Sequence, residues 1–202
     1  MAAQEASAEI TQFEWPTQAD LDSFLQEAQS SSSSPAGEDF NLRVSEIYFQ
    51  KPYCVYGMHW TLSNGTTSPF FNSHEITQSD LIRKSPPVHQ ARNLEAKRLT
   101  KVSIALKTTE ANTVSAKEHI MMPGVQIYDD KTAWPAIEFV RGDPIGTWDS
   151  TEIPSDCTLV GFHGEMTRYE SDATKADHFK FDSTVSVSRL GLILLKKVEQ
   201  ED

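Results

Sequence analysis

Cysteine is scarce in this chain. Cys54 and Cys157 are the only two in 202 residues, too few for the disulfide framework of a small secreted domain. A reducing, cytoplasmic setting is the expectation that follows. Basic residues are also short, with 18 Lys and Arg against 29 Asp and Glu and a net charge of −11. Binding to nucleic acid draws on a positive field that displaces counterions from phosphate. No nucleic-acid partner is therefore expected, and anionic membrane surfaces are disfavoured for the same reason. Long apolar runs are missing as well. The longest, Leu190–Leu195 with its glycine, falls far below the about 20 residues that cross a bilayer as a helix. Residues Met1–Ala6 carry neither a basic n-region nor an apolar h-region, and no arginine precedes Arg43. Neither a secretory nor a mitochondrial address is expected from them. Gly-x-Ser-x-Gly elbows and phosphate-cradling glycine loops are absent too. No acid, base and nucleophile set can be assembled, so no enzyme and no cofactor is expected.

What is present divides at about residue 40. Residues 1–40 read as a tail. Thr17 can cap a short helix over 17–28, with Pro16 before it and Asp20 three residues on to reach back to the cap. Leu21, Phe24, Leu25 and Ala28 follow at i, i+3, i+4 and i+7, one apolar stripe. The run Gln29–Gly37 is serine-rich and reads as a flexible linker. A helix this short is marginal alone in water, so it must dock on its own domain or on a partner. With two aromatics ahead of it, the segment is expected to anchor another protein through Phe13, Trp15, Leu21, Phe24 and Leu25.

Residues 41–198 carry strand signals, and 199–202 form an acidic tail. Leu42–Phe49 and Leu99–Lys107 alternate apolar and polar residues. Val55–Phe71 reads as a hairpin, because Asn64-Gly65 supplies the positive φ values of a two-residue turn. His119–Asp130 and Trp134–Arg141 form a second strand pair, Cys157–Gly164 a further strand, and Val185–Val187 with Leu190–Val198 the last. Glu165–Asp182 reads as a polar loop. Gly57, Gly124 and Gly191 recur at intervals of 67 residues (124 − 57 and 191 − 124). Each sits in an apolar strand, and the first two repeats share the same strand–turn–strand plan. A period of this kind marks a supersecondary unit too small to bury its own face. An all-β sandwich, barrel or prism is expected.

The segments Gly57–Gly65, Gly124–Asp130, Leu159–Gly164 and Leu190–Leu194 together resemble the jacalin-related lectins over residues 42–198. The resemblance implies an all-β, β-prism-like domain of three Greek-key sheets with pseudo-threefold repeats. It also implies a carbohydrate site around Gly161, Gly164 and Ser188. In that family an aspartate just before the closing strand holds a pair of sugar hydroxyls. Ser188 stands at the matching position, and a serine lacks the two charged acceptor oxygens of a carboxylate. The enlarged Glu165–Asp182 segment also departs from the family's short loop.

Cys54 with His59 and Cys157 with His163 have the wrong spacing for zinc, since their strand positions diverge and no Cys-x-x-Cys occurs. No metal site is expected from them. Asp129, Asp130, Asp143, Asp149 and Asp156 fall in turns, where aspartate bonds its own backbone, and no full calcium ligand spacing appears. Trp60, Trp134 and Trp148 are expected in the core. The first functional expectation is a non-catalytic intracellular protein-interaction or structural module, a subunit of a larger assembly whose other proteins are its partners. The alternative is a jacalin-related lectin with an altered sugar site and glycans as partners.

Overall fold

The structure is a computed structural model and describes residues 9–31, 42–50, 55, 57–72, 90–94, 98–109, 119–140, 147–170 and 183–196. The strands are β1 (Glu9–Trp15), β2 (Val44–Gln50), β3 (Gly57–Leu62), β4 (Phe71–Asn72), β5 (Gln90–Asn93), β6 (Leu99–Thr109), β7 (His119–Asp129), β8 (Pro135–Val140), β9 (Thr147–Glu152), β10 (Cys157–Glu170) and β11 (Ser183–Lys196). The helix α1 spans Gln18–Ser31. Three antiparallel sheets result: sheet I, ordered β1-β10-β11; sheet II, ordered β4-β3-β2-β5; and sheet III, ordered β8-β7-β6-β9. In sheets II and III each central hairpin is flanked by the two strands that follow it in the chain, which is the Greek-key layout.

One face of each sheet turns inward. Ile47, Phe49, Met58 and Trp60 of sheet II, Val102, Val125, Ile127 and Phe139 of sheet III, and Phe162, Met166 and Val187 of sheet I are buried in one cluster. Trp60 stands at its centre, with Trp15, Phe71 and Phe162 at ring-centroid distances of 5.9, 5.5 and 5.1 Å.

Backbone bonds also join Val55, in the chain between β2 and β3, to Met122 of β7 and Val187 of β11. The Val55 N–H donates to the Met122 carbonyl at 3.0 Å, and the Val187 N–H donates to the Val55 carbonyl at 2.8 Å. The third side passes through a side chain. Met122 N–H donates to Ser186 Oγ at 3.3 Å, and that hydroxyl donates to the Val187 carbonyl at 3.0 Å. Ser186 is wholly buried, so the ring satisfies polar groups that water does not reach. Three Greek-key faces around one core, closed by this ring, make a β-prism.

The repeated glycines have a steric cause. A Cβ on Gly124 would meet the Trp148 indole at 2.7 Å, and one on Gly191 would run into the His163 ring. In sheet I the ring comes from the adjacent strand β10, and in sheet III Trp148 of β9 reaches across Ala105 of β6 to Gly124, a device that shields exposed backbone. Gly65 has φ +86°, the conformation that the Asn64-Gly65 turn demands.

Several expectations change here. Residues 9–15, expected in a tail, form the outer strand of sheet I, with Phe13 opposite Gly164 and Trp15 opposite Phe162. The domain therefore begins in the segment assigned to the tail. β9, with the polar sequence TWDSTE, occupies ground read as turn. β10 continues to Glu170, so the first third of the expected polar loop is strand. The helix cap forms as read: Thr17 N–H donates to Asp20 Oδ2 at 2.8 Å, and Asp20 N–H to Thr17 Oγ1 at 3.3 Å. The serine-rich linker beyond residue 31, Asp143 and Cys54 lie outside the described residues.

Candidate functional site on the outer face of sheet II

Strand alternation sends every second residue of β2 and β3 outward. Register then decides which of them meet. Tyr48 lies opposite His59, and Glu46 opposite Thr61, so all four share one face. The Tyr48 and His59 rings stack with centroids 4.4 Å apart and planes 11° from parallel. Phe70 meets the His59 ring edge-on at 5.8 Å. A row of three rings thus crosses the sheet, half-buried and open to solvent.

Polar groups border that row. Tyr48 donates its hydroxyl to Glu46 Oε1 at 2.9 Å. This bond favours the neutral phenol, and with partial burial and the carboxylate's charge it raises the Tyr48 pKa above the usual tyrosine value. The Thr61 and Thr67 hydroxyls lie 3.1 Å apart. Beneath them, Ser68 Oγ accepts the Trp60 N–H at 3.0 Å, tying this strip of chain to the sheet.

The other outer faces differ in kind. On sheet III, Lys101 sits 4.2 Å over the Tyr128 ring. Tyr128 donates to Gln126 Oε1 at 2.8 Å, and Gln126 donates to Glu138 at 2.7 Å. That face spends its polar groups on one another. Sheet I carries His163 and the Arg189–Glu165 ion pair at 3.7 Å. Sheet II alone among the described faces presents an aromatic row.

The residues singled out from sequence fall elsewhere. Phe13, Trp15 and Leu21 are buried in the core cluster, and Phe24 packs against it, with its ring 6.2 Å from Trp15. Leu25 is half-buried. The first three are core rather than a partner-binding surface, because β1 and α1 dock on their own domain. Gly161 and Gly164 lie within sheet I. A Cβ on Gly161 would run into the Trp15 carbonyl and Pro16, and one on Gly164 into the Arg189 carbonyl. Close backbone approach accounts for both. Ser188 is the extra residue of a bulge in β11. Its hydroxyl lies 2.6 Å from Thr167 Oγ1 and 3.3 Å from the Glu165 carbonyl, so it sits inside a strand and not in a loop. All three lie within the strands of sheet I.

Asp129 is buried and accepts from Lys131 N–H and Thr132 N–H, both at 3.0 Å, which is turn chemistry. Asp149 lies on β9 opposite Ile104. No cluster of three metal-capable side chains occurs among the described residues. Trp134, expected in the core, is 80% exposed at the β7–β8 turn. Burial and Asp156 beside it push the Cys157 thiol up, against a smaller opposing effect of Lys196.

No family model and no curated protein sequence matches the chain. Solved structures do overlap it. Artocarpin in complex with mannotriose aligns at TM-score 0.49 and 16% identity, over 81% of this chain and 91% of that one. Frutapin from Artocarpus incisa aligns at 0.49 and 14%, over 96% and 99%. Calsepa lectin in complex with a biantennary N-glycan aligns at 0.45 and 11%, over 97% and 100%. The chain has a jacalin-like β-prism fold. Its three-sheet topology and the ring around Val55, Met122 and Val187 carry that statement. A jacalin-like fold says nothing by itself about the ligand.

Proposed function

We propose that this protein is a non-catalytic binding module for neutral glycans, held on the outer face of sheet II. The observation that carries this is the Tyr48–His59–Phe70 row bordered by Glu46, Thr61 and Thr67. A pyranose ring has an apolar C–H face and an equatorial belt of hydroxyls. Aromatic rings offer the first a flat apolar partner. A carboxylate and hydroxyls offer the second acceptors and donors fixed by the strand register. Glu46 has two oxygens, and Tyr48 takes one of them. The net charge of −11 repels sulfated and sialylated sugars, which restricts the ligand to neutral ones. The mannose-type ligands named for artocarpin carry no weight at 16% identity; the ring row does.

The anchor reading for the N-terminal segment loses its motive, since Phe13, Trp15 and Leu21 are core. A glycan array on the intact chain, repeated with Tyr48→Ala and Phe70→Ala, tests the glycan reading. Binding to neutral oligosaccharides is expected, weakened about tenfold or more by either substitution, the scale of one lost stacking contact. A blank array, or binding that both variants retain, contradicts it.

A further inference from the structure

The tip of the hairpin after β3 carries a reactive pair. The chain has five asparagines, and Asn64 is the only one followed by glycine. An asparagine side chain is an amide, and the backbone nitrogen of the next residue can attack its Cγ. A side chain on that next residue obstructs the approach, and glycine has none. Asn64 and Gly65 are both exposed. A Cβ added to Gly65 would meet nothing within 4 Å, so packing does not confine the tip on that side.

Hydrogen bonds activate one partner and restrain the other. Thr66 N–H donates to Asn64 Oδ1 at 3.0 Å. That bond polarises the amide carbonyl, and the ring it closes contains both Asn64 Cγ and the Gly65 nitrogen. The restraint is on Gly65, whose N–H donates to the Leu62 carbonyl at 2.9 Å, while the Leu62 N–H donates to the Thr66 carbonyl at 2.8 Å. Below the tip, Ser63 N–H is held by the Arg43 carbonyl at 2.9 Å. Attack waits until the Gly65–Leu62 bond opens. Exposed turns open locally at far lower cost than the whole domain unfolds. The fold therefore slows the reaction without preventing it.

We propose that Asn64 is a site of spontaneous covalent modification in the folded protein, converted through a cyclic imide to a mixture of aspartyl and isoaspartyl forms. The Gly65 nitrogen gives up its proton and forms a bond to Asn64 Cγ. The Cγ–Nδ2 bond breaks, and the side-chain nitrogen takes up a proton and leaves as ammonia. Water, the sole co-reactant, then opens the imide. Hydrolysis at Cγ gives an aspartyl residue. Hydrolysis at the backbone carbonyl gives an isoaspartyl residue, whose main chain runs through Cβ and Cγ and is longer by one carbon. The hairpin has no slack for that carbon. Thr61 pairs with Thr67, the Ser68 N–H donates to the Trp60 carbonyl at 2.8 Å, and the Trp60 N–H donates to Ser68 Oγ at 3.0 Å. A lengthened tip that also carries a new negative charge breaks this register, and the strip 66–71 loosens from β3. The modification does not depend on the glycan reading of sheet II.

The test incubates the intact chain at neutral and at mildly alkaline pH and reads it by peptide mapping, with methyl labelling by an isoaspartyl carboxyl methyltransferase as a second readout. The peptide holding Asn64 is expected to gain the mass of OH in place of NH2 and to take the methyl label, ahead of the peptides holding Asn41, Asn72, Asn93 and Asn112. Conversion should rise in proportion to hydroxide, since the attacking nitrogen must lose its proton. Asn64→Gln should lose both signals, because the longer side chain closes a larger and less favoured ring. In the modified fraction, hydrogen-exchange protection at the Leu62 and Ser68 amides should fall while the amides of β6 and β7 keep theirs. Three results overturn the proposal. Asn64 stays intact in the folded chain over a period in which it converts in urea; another asparagine converts first; or the modified fraction keeps full protection at Leu62 and Ser68.

Discussion

Ser186 is a small polar side chain in an apolar core, and its hydroxyl completes the ring that joins the three sheets. Removing it strands the Met122 N–H and the Val187 carbonyl. An orphaned buried backbone group costs about 1–3 kcal/mol, so Ser186→Ala is expected to lower the free energy of unfolding by that amount and to move the urea midpoint down with it. An unchanged midpoint would mean that the hydroxyl bridges nothing. Glycines divide by what faces them. Gly164 is faced by the Arg189 carbonyl, which is fixed in β11, whereas Gly191 is faced by the exposed His163 ring. Gly164→Ala should cost about 3 kcal/mol, the upper range for overpacking, and Gly191→Ala under about 1 kcal/mol as the ring swings aside. Equal losses for the two would contradict that reading. At Cys157, burial and Asp156 both penalise the thiolate. Its alkylation by iodoacetamide should begin at a higher pH than that of a free thiol, and Asp156→Asn should bring the profile down.

At the scale of elements, β1 changes most from expectation. Its sequence, EITQFEW, is short and followed by a helix and a serine run, so composition reads it as tail. Its partner is β10, some 150 residues on in the sequence, and nothing local reveals so distant a pairing. The hairpins were legible because their signals are local: alternation in β2, β3 and β6, and Asn64-Gly65 between β3 and its return. β9 was not, since TWDSTE has no apolar alternation; its place in the sheet comes from pairing with the distant β6 and from the Trp148 ring over Gly124. If β1 is core, Trp15→Ala should destabilise the isolated chain by about 3–5 kcal/mol in urea unfolding. An anchor for another protein would instead leave the isolated chain's stability nearly unchanged while abolishing capture of that protein.

The whole molecule is a prism whose three sheets have diverged on their outer faces while keeping one inner plan. The 67-residue glycine spacing exposed that plan in the sequence, and at two of its three positions, Gly124 and Gly191, a ring lies over the glycine. The candidate site was not exposed in this way. Tyr48 and His59 are unremarkable in their own strands, and only the β2–β3 register stacks them. The family resemblance pointed instead to Gly161, Gly164 and Ser188, which the structure commits to packing and to a strand bulge. The measurement that separates these faces is amide chemical-shift mapping of the intact, isotope-labelled chain titrated with neutral oligosaccharides. With the glycan site on sheet II, saturable shifts are confined to β2, β3 and residues 61–71 and are absent in Tyr48→Ala. Shifts centred on β10 and Ser188, or none with any neutral sugar, would contradict it.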